Sequence, residues 1–219
     1  MTTVYLIRHS VRLPMRTIEN YNTNQNKTIR NEKIILSVEG EQRAKILSEK
    51  EELQNIDVVY TSNCVRTLQT AKYLIEKQNL KVNIDERLDE RRVGIPNDKE
   101  IVNWFQEQFY NEEYKTIGGE SQKEVRNRFN DAFEEIITQH KNKRIAIYSH
   151  GYAITFFLLK YCKLIEVTQD EKITLEYKGK IIFNKKLNAP EVFKLTINDN
   201  EILNIELIEF EDIKYNKGV

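Results

Sequence analysis

The chain has little of several things that would point to special chemistry. Its two cysteines, Cys64 and Cys162, exclude a disulfide framework and read as reduced core thiols in a cytoplasmic protein. Net charge is also lacking, since Lys plus Arg and Asp plus Glu both number 34. A general electrostatic grip on nucleic acid needs a basic face, so nucleic acid is not an expected partner. Any positive site must instead be local, made of a few arginines gathered by folding. No apolar run is long enough to span a bilayer; AITFFLL at Ala153–Leu159 is among the longest, so no membrane partner is expected. Strand pattern begins by Thr3, which leaves no room for a secretion signal. There is no His-Glu-x-x-His or comparable metal spacing, no repeat of solenoid period, and no cofactor is expected.

What is present suits a folded α/β chain. With 40% hydrophobic and 31% charged residues, the 219 positions read as one domain spanning 1–219. Thr3–Ile7, Val58–Tyr60 and Arg144–Tyr148 are short, mostly apolar runs with the look of buried strands, and Lys81–Ile84 looks like a further strand. Helical spacing follows in Val38–Leu53, in a helix capped by Ser62, and from Ser121, which forms a capping box with Glu124, through His140. A further apolar helix runs to Tyr161. Strands alternating with helices predict a largely parallel central sheet. The tail from Ile173 (ITLEY, KIIF, VFKLTI, ILNIELIEF) predicts added antiparallel strands. Asn20–Lys33 reads as a solvated polar loop. The aromatic-rich Asp98–Tyr114 reads as helical, and segment 95–120 is either a lid or a helix packed on the core.

Ligands of such sheets lie off the carboxyl ends of the strands. That rule puts Arg8-His9, Arg66 and His150 on one rim. Of the three histidines, His140 ends a helix, where a cation suits the dipole, and is structural. His9 and His150 share a context: an apolar run, a polar residue, the histidine, then a small residue. Arg8, Arg12 and Arg66 near that rim would repel each other without an anion between them, and guanidinium forks match phosphate oxygens. For Arg12 a structural ion pair is an equal reading.

These residues carry a resemblance. LIRHS (Leu6–Ser10), SNCVRTLQTA (Ser62–Ala71), LDERRVG (Leu88–Gly94), GGES (Gly118–Ser121) and YSHG (Tyr148–Gly151) resemble, in order, the signature segments of the histidine phosphatase superfamily. The resemblance covers roughly Thr3 to Tyr161. It implies a three-layer α/β/α, phosphoglycerate mutase-like fold and a metal-independent phosphatase acting on a small phosphorylated substrate. It also implies roles: His9 as the phosphorylated nucleophile, Arg8, Arg66 and His150 on the phosphoryl oxygens, and Glu90 as proton donor. Ser10 departs from the family's glycine. RHSVRLP is similar to the Arg-His-Gly-x-Arg-x-Pro segment of the acid phosphatase branch, which adds Arg12 to the phosphate-binding set. That branch takes its acid from a His-Asp pair, whereas this chain has His150-Gly151, so Glu90 is preferred over Asp89 and Glu86.

Other readings remain open. A mutase would need a second anion site, and Ile95–Glu100 offers only Lys99. A metal hydrolase is disfavoured because Arg8 beside His9 would repel a cation. A non-catalytic phospholigand-binding module is the third alternative.

Overall fold

A computed structural model describes residues 1–14, 31–94 and 104–218. The elements run β1 (Thr2–Arg8), α1 (Val38–Ser48), β2 (Val58–Thr61), α2 (Val65–Gln78), β3 (Val82–Ile84), α3 (Trp104–Tyr110), α4 (Gln122–Gln139), β4 (Arg144–Ser149), α5 (Gly151–Leu158), β5 (Lys163–Val167), β6 (Ile173–Tyr177), β7 (Lys180–Lys185), β8 (Glu191–Asn198) and β9 (Glu201–Ile208). The main sheet has the order β3-β2-β4-β1-β8-β9. Its first four strands are parallel, and β8 and β9 join antiparallel beside β1.

Val4–Ile7 of strand β1 are apolar because they lie inside the sheet, covered on both faces. Val4 and Leu6 point into a core with Phe129 and Phe133 of α4 and Phe157 of α5. Tyr5 and Ile7 point the other way, against Leu47 of α1 and Ala71 and Leu74 of α2. The period of two in the strand thereby builds three layers. A separate three-stranded antiparallel sheet, β5-β6-β7, closes over the first core through Ile173, Leu175 and Phe183.

Several expectations shift in detail. The tail strands divide: β6 and β7 belong to the small sheet, while β8 and β9 extend the main one. Their partner β5 carries Lys163 and Glu166 and is largely exposed, so its alternation is weak in sequence. The residue capping α2 is Cys64, whose side chain makes no capping bond. Ser62 is used elsewhere, as described below. Ser121 and Glu124 do form a capping box, with Ser121 N donating to Glu124 Oε2 at 2.9 Å. Helix α5 ends at Leu158, short of Tyr161. Within the 95–120 segment, α3 packs inward: Phe105 and Phe109 meet Tyr152 edge to face, and Phe109 meets Phe156 the same way. Residues 95–103, and most of the Asn20–Lys33 loop, lie outside the described residues. No described helix is long and apolar enough to cross a membrane.

Candidate active site

The carboxyl ends of β1, β2 and β4 meet at one place, and backbone pairing continues past them. His9 N donates to Ser149 O at 2.9 Å, and Ser62 N donates to Tyr148 O at 3.0 Å. Above them opens a cavity of about 1140 Å³ lined by Arg8, His9, Arg12, Arg66, Asp89 and Glu90, among others.

His9 Nδ1 lies 2.7 Å from the Ser10 carbonyl oxygen. A carbonyl can only accept, so Nδ1 carries the proton and Nε2 keeps its lone pair. Burial, then the charges of Arg66 and Arg8, hold this imidazole well below the usual histidine range. Ser10 has no positive φ, so a Cβ in place of the family's glycine brings no left-handed strain. Its N donates to Thr70 Oγ1, and its own hydroxyl is buried with no partner.

His150 sits behind His9, fully buried, with the ring centroids 5.2 Å apart and the planes at 63°. Its Nδ1 is 2.9 Å from Arg66 Nη2, and a guanidinium can only donate, so Nε2 carries the proton. That Nε2 donates to Ser62 Oγ at 2.8 Å, which is why Ser62 does not cap α2. Both ring nitrogens therefore have protein partners, and His150 holds Arg66 in place. Burial, then Arg66, lowers its pKa well below the ordinary value.

The arginines are tethered by backbone. Arg8 gives Nη1 to the carbonyls of Leu187 and Asn188 and Nη2 to that of Lys217. Arg66 gives Nη1 to Asn31 O at 2.6 Å, and Arg12 gives Nε to Gly218 O at 3.3 Å. Of five N–H donors each, Arg8 spends three and Arg66 two, so both keep Nη hydrogens for an anion, and each also has a buried Nε without a partner among the described residues. An orphaned buried donor on a cation is costly unless an anion accepts from it. Gly151 permits this packing, because a Cβ there would stand 3.0 Å from Arg8 Nε.

The carboxylates lie on the segment after β3. Glu90 Oε1 accepts from the backbone N of Arg91 at 2.9 Å and of Ala153, in the first turn of α5, at 3.1 Å. Asp89 Oδ1 accepts from Asn63 N at 2.8 Å, and burial pushes its pKa up to about 6. Cys64, Asp89 and His150 bring ligand-type atoms within 4.8 Å of one another. That set suits a cation poorly: both His150 nitrogens are engaged, Arg66 adjoins, and burial raises the Cys64 thiol to about 11.

The family model for the histidine phosphatase superfamily (branch 1) matches residues 4–179. The chain belongs to that superfamily. It is similar to phosphoserine phosphatase 1 of Hydrogenobacter thermophilus, 31% identical over 140 residues covering 60% of this chain and 65% of the relative. It is also similar to a probable phosphoglycerate mutase GpmB of Yersinia enterocolitica, 28% identical over 127 residues covering 54% and 59%. The matches thus span less than two thirds of these relatives' lengths. Among solved structures, a mycobacterial glucosyl-3-phosphoglycerate phosphatase in complex with inorganic phosphate superposes with a TM-score of 0.64 at 16% identity, over 99% of both chains, which shows the shared fold.

Within this member of the superfamily, motif reading missed the residues that brace the Glu90 segment. Arg128 donates from Nη1 to the carbonyls of Arg87 and Asp89 and from Nη2 to that of Glu90. The same guanidinium forks onto Glu120, at 2.9 Å from Nε and 3.0 Å from Nη2. Glu120 also accepts from Arg92 N at 2.9 Å. The only hint in sequence was the Glu of GGES. Arg128→Met should leave Glu120 buried without its main partner and cost about 3–5 kcal/mol. Urea unfolding measures this; a loss under about 1 kcal/mol would mean the brace is not structural.

The histidines set an acid limit. Unfolded, each takes a proton near pH 6.5, whereas folded His9 and His150 refuse it to a much lower pH. Their contribution is present above pH 6.5 and is lost on acidification, by about 1.4 kcal/mol per pH unit for each group. A double His9→Gln, His150→Gln variant should show a flatter stability profile between pH 6.5 and 5. An unchanged slope would mean the folded histidines titrate normally.

Proposed function

We propose that this protein hydrolyses a small phosphomonoester through a phosphohistidine, without a metal. The observation that carries the reading is the free lone pair of His9 Nε2 in a cavity also lined by Arg8 and Arg66, whose charges act on that ring. Nε2 attacks phosphorus in line with the ester oxygen, forming the N–P bond as the P–O bond breaks. Charge spreading over the equatorial oxygens is met by the arginines, with Arg12 at the cavity wall as a further donor. Arg66, held by His150, is pre-aimed. Glu90 delivers its proton to the leaving alkoxide, then as carboxylate takes one from the water that cleaves the N–P bond. Inorganic phosphate leaves, and His9 and Glu90 return to their starting states.

The same reading takes the chain as one cytoplasmic catalytic domain with no resident cofactor and no nucleic-acid or membrane partner, in keeping with its zero net charge. The likeness to a protein named phosphoserine phosphatase favours hydrolysis. The likeness to one named probable phosphoglycerate mutase keeps phosphoryl transfer as the second reading. Release of inorganic phosphate in step with substrate loss separates them, because a mutase retains its phosphoenzyme. Lys99, the mutase-like cation, lies outside the described residues.

Purified protein should hydrolyse p-nitrophenyl phosphate undiminished in excess EDTA. Activity lost in the chelator and restored by zinc or magnesium would overturn the arginine-only mechanism.

A further inference from the structure

A guanidinium keeps a fixed plane only where its acceptors are themselves fixed. Those of Arg8 come from two separate stretches of chain. Leu187 O and Asn188 O take both hydrogens of Nη1, and Lys217 O takes one from Nη2. All three are neutral carbonyls, so they hold the cation without cancelling the charge that a phosphoryl group needs. Glu191 pairs with Arg8 in the register of β1 and β8. Its carboxylate nevertheless accepts from Asn188 N at 2.7 Å and lies 3.3 Å from Lys185 Nζ.

One buried side chain joins the two stretches. Asn188 Oδ1 accepts from Asn216 N at 2.8 Å and from Ala189 N at 2.9 Å, and Nδ2 donates to Ile213 O at 3.4 Å. Ala189 N also donates to Asn216 O at 2.8 Å. Asn216 Oδ1 in turn accepts from Gly218 N at 2.9 Å. Gly218 N and Lys217 O belong to one planar peptide group, so fixing the first aims the second at Arg8. The tail lies directly on the turn: a Cβ at Gly218 would stand 2.7 Å from Ala189 Cβ. Both stretches fall beyond residue 179, where the family match ends, so no signature segment encodes this clasp.

We propose that Asn188 is a positioning residue for the reaction: its side-chain amide clasps the turn at 187–190 to the tail at 216–218 and thereby aims Arg8 at the phosphoryl oxygens. This rests on the phosphatase reading and adds to it a residue that touches no substrate. An asparagine that only stabilised the tail would cost folding energy and leave Arg8 working as before in the molecules that fold.

A double-mutant cycle separates the two roles, with binding of inorganic phosphate measured by calorimetry. The proteins are wild type, Asn188→Ala, Arg8→Lys and the double variant, each checked for folding by urea unfolding. Arg8→Lys keeps the charge but has no planar fork to aim. Asn188→Ala should weaken phosphate about 10-fold beside the native arginine and less than about 2-fold in the Arg8→Lys background, because coupled residues are not additive. Turnover of p-nitrophenyl phosphate by Asn188→Ala should fall by about 100-fold in kcat/KM, the loss expected when a reacting group is misplaced by an ångström. If Asn188→Ala does not fold, Asn216→Ala releases Gly218 N and should show the same dependence on Arg8. Equal losses of phosphate affinity in both backgrounds, or no loss in either, overturn the assignment. A wild-type protein that binds phosphate without hydrolysing any phosphomonoester would sink the phosphatase reading alone, and the binding cycle would still judge Asn188.

Discussion

His9→Ala is expected to lower turnover of every phosphomonoester by at least about 10,000-fold while the protein stays folded. The fold should survive because, among the described residues, the side chain bonds to the neighbouring Ser10 carbonyl alone, and the His9 N–H to Ser149 O bond is a backbone one. The activity should not survive, because His9 supplies the imidazole lone pair, while Cys64, which lines the same cavity, is kept a thiol by burial. His9 is held neutral, so kcat/KM should show no ionisation of this group between pH 7 and 8. Rapid mixing with labelled substrate, quenched in alkali to protect an N–P bond, should place label on the peptide containing His9. The specific competitor is Ser10, whose hydroxyl is buried, adjacent and unpartnered. Label on Ser10, or full activity in His9→Ala, would end the phosphohistidine reading.

Glu90→Gln should separate substrates by their leaving groups. The amide oxygen can still accept from Arg91 N and Ala153 N, so shape and anchoring persist while the transferable proton is lost. A nitrophenolate departs as an anion, whereas an alkoxide must be protonated. General acid help is worth about 100- to 10,000-fold, so phosphorylation of His9 by an alkyl phosphate should slow by that factor, and by p-nitrophenyl phosphate far less. Release of the alcohol in a single turnover is the required readout, because hydrolysis of the phosphoenzyme also needs a base. Asp89 is the rival: it lines the same cavity and already holds a proton up to about pH 6. Equal losses for both substrates would shift the role to Asp89, and Asp89→Asn should then show the selective loss.

The layout of the site could be read in sequence where local rules act. An apolar run ending in Arg8-His9 marks a buried strand whose carboxyl end meets a ligand, and Ser121 with Glu124 marks a helix start; both depend on near neighbours. Ser62 misled because its hydroxyl could serve either the α2 terminus or a distant histidine, and the tertiary partner, His150, won. The tethering of Arg8 by Leu187, Asn188 and Lys217 and the bracing by Arg128 join residues far apart in the chain. No motif or periodicity encodes such contacts. The weak signal of β5 has another cause: an exposed strand needs little apolar patterning.

The place of β1 has a consequence for how the protein is made. Its neighbours in the sheet, β4 and β8, lie far later in the chain, and the carbonyls that grip Arg8 come at residues 187, 188 and 217. Val4–Ile7 of this strand are apolar, yet neither edge can pair until β4 and β8, which begin at Arg144 and Glu191, have been made. Contacts of such long separation close slowly and leave a sticky segment waiting. Acquisition of activity during refolding should therefore lag behind helix formation, with the phosphate pocket among the last parts to assemble.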